Sequence, residues 1–212
     1  MNETALRALA LPSLGRVLEL APLREPGMSD PQGRDWRQVM RTGDALAGMP
    51  PLGENDVTGF EEIVTASTHL GCHLDAPGAR HIAGVASGMP YAEFYGNDGL
   101  RALGADALRP VLTRGILLDG ATDVHFEHIE PGDAVLIRGG ITEGLAEDLA
   151  ARDAGFIGLE TAGCDRDLPL PVISNLLLDE LASAATGPFL LVLTPIRGDG
   201  STGAPVSPLA IL

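Results

Sequence analysis

Three of the chain's five histidines and one aspartate fall within thirteen residues: His69, His73, Asp75 and His81. The stretch reads Thr68-His69-Leu70-Gly71-Cys72-His73-Leu74-Asp75-Ala76-Pro77. In an extended backbone the side chains alternate faces with period two. His69, His73 and Asp75 then share one face, with Gly71 between the imidazoles and no side chain to crowd them. On a helix His69 and His73 would still pair, but Asp75 would swing away. The spacing therefore predicts a metal-binding strand that ends where Pro77 stops its pairing. Two imidazoles and a carboxylate suit Zn, Mn or Fe. Three protein ligands with coordination positions left for substrate is the pattern of a catalytic site. One divalent transition metal, Zn or Mn, is the expected cofactor, and the competing reading is a site that has lost its metal. His81, outside the ligand triplet, is the expected catalytic residue, because an imidazole can take and return a proton near neutral pH.

Other constellations carry less chemistry. Cys72 would lie on the opposite face of the predicted strand, with no third group to orient it as a nucleophile. His125 and His128 have His-x-x-His spacing but precede a Pro131-Gly132-Asp133 turn, which points to loop histidines. The run Gly198-Asp199-Gly200-Ser201-Thr202-Gly203 matches a dinucleotide-binding glycine pattern. The residues after it, Ala204-Pro205-Val206-Ser207-Pro208, cannot open the helix that such a site needs, so it is read as a glycine turn.

The histidine stretch resembles the His-x-Gly-Thr-His-x-Asp-x-Pro-x-His signature of the cyclase family, which includes bacterial kynurenine formamidase and isatin hydrolase. Cys72 replaces the Thr, and His81 comes two positions later than the last His of the signature. The resemblance extends through 99–119, 131–138 and 194–206, in the family's order. It implies the family's swivelling β/β/α domain, a homo-oligomer (dimer or tetramer), and hydrolysis of a C–N amide or lactam bond in a small aromatic substrate. Family members add a His and a Glu from a second region. Here Ser174 stands where the Glu would be, and the loop from Gly163 to Leu170 has no His. A mononuclear site on His69, His73 and Asp75 is what remains, with Glu160, Asp165 or Asp167 as substitute acids. Two other functions stay open: ring closure in natural-product (polyketide-type) assembly, with or without metal, and a non-catalytic binding paralogue.

The elements that must position these residues can be read from the apolar pattern. Residues 17–22 alternate as a half-buried strand does. The segment 24–56 is rich in Pro, Gly and charge and is expected to be a flap or arm, anchored by Trp36 or using it to line a pocket. Residues 89–99 read as a loop. Runs 113–119 and 134–138 read as strands buried on both faces, and 156–159 and 189–194 as further strands. Helices are expected over 142–152 and 176–185, the second capped by Ser174 or Asn175. Strands alternating with helices give a mixed α/β domain spanning residues 1–212, a mixed sheet with flanking helices.

Composition bounds the partners. The 212 residues carry a net charge of −15, which argues against nucleic acid and anionic membranes and leaves a small-molecule substrate. Hydrophobic content is 45% and aromatic content 4%, so the core must be aliphatic. No apolar run approaches a membrane span and no signal peptide is expected. Two cysteines without a Cys-x-x-Cys pair fit free thiols in the cytoplasm.

Overall fold

The structure is a computed structural model that describes residues 3–12, 15–41, 61–79, 85–120, 128–161 and 168–212. His81, His125, Cys164, Asp165, Asp167 and residues 42–56 of the expected arm lie outside the described residues.

The strands, in chain order, are β1 (Val17–Glu19), β2 (Trp36–Arg41), β3 (Glu61–Ala66), β4 (His73–Asp75), β5 (Val85–Ala86), β6 (Met89–Pro90), β7 (Tyr95–Gly96), β8 (Gly99–Leu100), β9 (Val111–Asp119), β10 (Ala134–Arg138), β11 (Phe156–Leu159), β12 (Val172–Ser174), β13 (Phe189–Leu193), β14 (Gly203–Pro205) and β15 (Leu209–Ile211). Nine of them form one sheet in the order β1-β15-β13-β9-β10-β11-β12-β4-β14. The centre, β9 to β12, is parallel, and every outer pairing is antiparallel. A parallel centre must be covered on both faces, and it is. Leu136 and Ile173 point into one aliphatic core with Leu74, Leu176 and Phe189. Val135, Ile137, Ile157 and Val172 point into another, with Leu145 and Leu149 of a short helix.

The sheet curls strongly. Just past β1, the Leu20 carbonyl accepts a 2.8 Å hydrogen bond from the Leu177 amide, just past β12. Those strands are six positions apart in the sheet. In a flat sheet they would be separated by about 29 Å, at roughly 4.8 Å per strand. The β12-β4-β14 edge is thereby brought round to the segment that leads from β1 into the arm.

The mixed sheet is as expected, but helix is scarcer than the α/β reading supposes. The described α-helices are short: six residues each at Glu3–Ala8, Leu145–Ala150 and Asp179–Ala184, and four at Tyr91–Phe94. Residues 142–144 do not join the Leu145–Ala150 helix: Gly144 precedes it at φ +81°. The Asp179–Ala184 helix starts later than expected because Val172–Ser174 is drawn into the sheet and Asn175 turns left-handed at φ +60°. Strand β9 is only partly buried, whereas β10 is buried along nearly its whole length. The expected loop 89–99 is divided into β6, a single helical turn at Tyr91–Phe94, β7 and the start of β8. Of the arm's described residues, β2 forms a ribbon with β3, which follows the arm: the two pair antiparallel from Trp36↔Ala66 to Arg41↔Glu61.

Candidate metal centre

The convergence of His69, His73 and Asp75 is present, but a single extended strand does not produce it. Only His73–Asp75 is strand. Residues 67–72 form a turn, with the Leu70 amide bonded to the Ser67 carbonyl at 3.1 Å and the His69 amide to Ser67 Oγ at 3.2 Å. Gly71 sits at φ +67°, a left-handed conformation that glycine adopts without a Cβ penalty. It breaks the predicted alternation. His73 and Asp75 keep it, flanking Leu74, which points into the core. His69 reaches them by folding back over the turn.

Both imidazoles direct a nitrogen at one carboxylate oxygen. His69 Nδ1 lies 3.1 Å and His73 Nε2 3.5 Å from Asp75 Oδ1. The rings meet edge to face with centroids 5.0 Å apart. One ligand atom from each of the three residues lies within 4.8 Å of the other two. Each ring hands its second nitrogen to an outer partner: His73 Nδ1 donates to the Gly71 carbonyl at 2.8 Å, and His69 Nε2 is 2.9 Å from Thr202 Oγ1. Metal-ligating histidines are held in this way, because the outer bond fixes the tautomer and the ring plane. With the His69 proton on Nε2, three lone pairs face one point, an arrangement that is stable only around a cation or a proton. The residues present fit a divalent cation.

The surroundings favour neutral imidazole at His73. Its side chain is 3% exposed, and burial lowers its pKa below the ordinary value, against the raising effects of the Gly71 carbonyl and Asp75. His69 and Asp75 are 21% and 13% exposed, so the cluster has one buried side and one accessible side. Cys72 faces the core, and burial pushes its thiol up to about 12, which makes it no nucleophile at neutral pH.

Several positioning residues lie far away in sequence. The Gly71 carbonyl also accepts from Asn175 Nδ2 at 2.8 Å. Strand β14 runs antiparallel to β4 with Gly203 opposite Asp75. A Cβ at Gly203 would lie 2.7 Å from His69 Cε1 and 2.9 Å from Nε2, so only glycine lets the ring rest there. From the arm, Arg24 donates to the Cys72 carbonyl at 2.9 Å, packs on Gly71 and lies over the Trp36 ring. Arg24 thus ties the arm to the turn, with the Trp36 ring stacked beneath its guanidinium. The glycine-rich run 198–203 leads into strand β14 and no helix follows it, and it contributes Thr202 to the site.

Glu160 does not join the cluster; its carboxylate accepts from the Gly139 amide at 2.9 Å. His128 lies by the 131–133 turn, its carbonyl accepting from Arg114 at 2.7 Å. Ser174 ends β12 directly opposite His73. A cavity of about 320 Å³ adjoins Asp75, walled mainly by Pro77, Leu108, Leu170, Pro171 and Val172.

No protein-family model matches the sequence, and no curated protein matches it closely enough to count as a relative. Solved structures do match in fold. One described as a novel cyclase superposes with a TM-score of 0.82 over 100% of this chain and 93% of its own, at 16% identity. An isatin hydrolase bound to the product analogue thioisatinate matches at 0.62, over 100% of this chain and 99% of its own, also at 16% identity. A predicted metal-dependent hydrolase from Bacillus stearothermophilus matches at 0.56, over 92% of this chain and 97% of its own, at 18% identity. The chain has the fold of these cyclase and isatin hydrolase structures at low sequence identity. Among the described residues, no helix is long and apolar enough to cross a membrane.

Proposed function

We propose that this chain is a metal-dependent hydrolase that cleaves a C–N amide or lactam bond in a small, largely apolar substrate, with one divalent cation held by His69, His73 and Asp75. The observation that carries the reading is the pair of imidazole nitrogens aimed at a single Asp75 oxygen, each ring locked from behind. When bound, such a cation polarises a carbonyl and lowers the pKa of water to about 7. The chain's own residues supply the rest. Gly71 and Thr202 hold the two ring planes, so little reorganisation is needed on binding. The cavity beside Asp75 offers aliphatic and proline walls that take a small ring or alkyl group and exclude water from it. His81, six positions after Asp75, is the proton-transfer group in this reading. The likeness in fold to structures described as a metal-dependent hydrolase and an isatin hydrolase supports the reaction class.

A second reading, ring closure, is favoured by the match to the structure described as a cyclase. The same polarised carbonyl would then be attacked by an atom of the substrate, and the apolar walls would fold the chain onto itself.

Metal analysis and turnover decide. Chain purified without chelator should carry about one transition metal, lost in His73→Ala and kept in His81→Ala. Turnover of N-formyl anilides or lactams should fall in both variants. A metal-free native chain would remove the hydrolytic reading. A metallated chain inert on every such amide would favour ring closure.

A further inference from the structure

Ser174 is wholly buried, and its Oγ has no hydrogen-bond partner among the described residues. A buried hydroxyl left unpaired costs about 1–3 kcal/mol, so its retention calls for a partner that is bound rather than built in. Its position names that partner. Strand β12 pairs antiparallel with β4, and Ser174 stands directly opposite His73. Directly opposed residues of an antiparallel pair project from the same face, with Cβ atoms about 5 Å apart. The neighbouring pair, Ile173 and Leu74, points the other way into the aliphatic core. Ser174 is thus turned toward the side of the sheet where His73 and Asp75 meet, and no other polar group there claims it.

We propose that the Ser174 hydroxyl is the fourth protein group of the candidate cation centre, placed to hold the water or substrate carbonyl oxygen that shares the centre with His69, His73 and Asp75. This rests on the hydrolase reading above. A neutral alcohol is a weak ligand for a divalent transition metal but can both donate and accept, so it can orient such an oxygen. The centre then has three anchoring ligands and one orienting group, all delivered by the β4 segment and its β12 neighbour.

Co²⁺ serves as the probe, because it binds nitrogen and oxygen sites and its visible spectrum reports their occupation. Native chain, Ser174→Ala and Ser174→Thr are titrated with Co²⁺, and thermal unfolding of the metal-free proteins is measured in parallel. Ser174→Ala should bind Co²⁺ roughly 10- to 100-fold more weakly, the usual loss for an outer partner, while its metal-free unfolding temperature stays at or above native. Ser174→Thr, which keeps the hydroxyl, should recover most of the native Co²⁺ affinity. Native affinity in Ser174→Ala would overturn the proposal and leave the three-ligand centre standing. A native chain that binds no Co²⁺ would overturn both.

Discussion

At the scale of single residues, the site is a matter of who holds each imidazole. The pKa of His73 lies below the ordinary 6.5, chiefly through burial. The unfolded chain therefore binds a proton that the folded chain resists, and stability rises with pH through this range. The contribution is fully present above about pH 6.5 and is lost as pH falls through the depressed folded value. Thermal unfolding of metal-free chain should thus fall from pH 7 to pH 5, with a shallower slope in His73→Ala. Gly203→Ala should act without touching a ligand. The new methyl meets the His69 ring at 2.7–3.0 Å with the backbone of a paired strand behind it. Overpacking of this kind costs roughly 1–3 kcal/mol, and the displaced ring should lower cation affinity by about tenfold, read by titration with Zn²⁺. The grouping of His69, His73 and Asp75 was legible from residue types and spacing. Thr202 and Gly203 were visible only as a glycine turn, since nothing local reveals that β14 lies beside β4.

At the scale of elements, a turn succeeds where a strand was expected. Alternation puts His73 and Asp75 on one face, but His69 arrives through Gly71 in the left-handed region. The turn also swings the Gly71 carbonyl to accept from His73 and Asn175. Gly71→Ala should destabilise the chain by about 1–2 kcal/mol. The Cβ would also approach Arg24 Nε at 3.3 Å, so the arm should loosen, measurable as faster proteolysis of the arm beside a lowered unfolding temperature. The sequence shows a glycine at position 71 but not its φ, so the segment read as extended. The same limit applies at Ser174. Its neighbours Pro171 to Leu177 suit a helix start, yet pairing with β4 and β11 makes 172–174 a strand. Long apolar runs such as 134–138 and 156–159 were legible with their bounds, because burial on a parallel centre leaves little choice of residue.

At the scale of the whole molecule, one buried ionic knot fixes the sheet's centre to its loop. Asp133 is fully buried, takes a two-pronged contact from Arg114 at 2.9 and 2.7 Å, and accepts from the Glu130 amide at 2.8 Å. Arg114 bonds Glu130 as well, and its pKa is raised mainly by the Asp133 hydrogen bond. Asp133→Ala strips that guanidinium of its fully buried carboxylate partner and leaves it only the more exposed Glu130 and the His128 carbonyl. Chemical denaturation should show a loss of about 3–5 kcal/mol, with the Co²⁺ site intact in whatever fraction stays folded. The curl that brings Leu20 to Leu177 has a further result. It lets one guanidinium, that of Arg24, touch both the turn beside His73 and the ring of Trp36. Trp36 is the chain's sole indole. The molecule therefore carries a built-in optical reporter of the turn: Arg24 joins the Gly71–Cys72 backbone to the sole indole, so the loosening expected in Gly71→Ala should also change the Trp36 emission, read without a label.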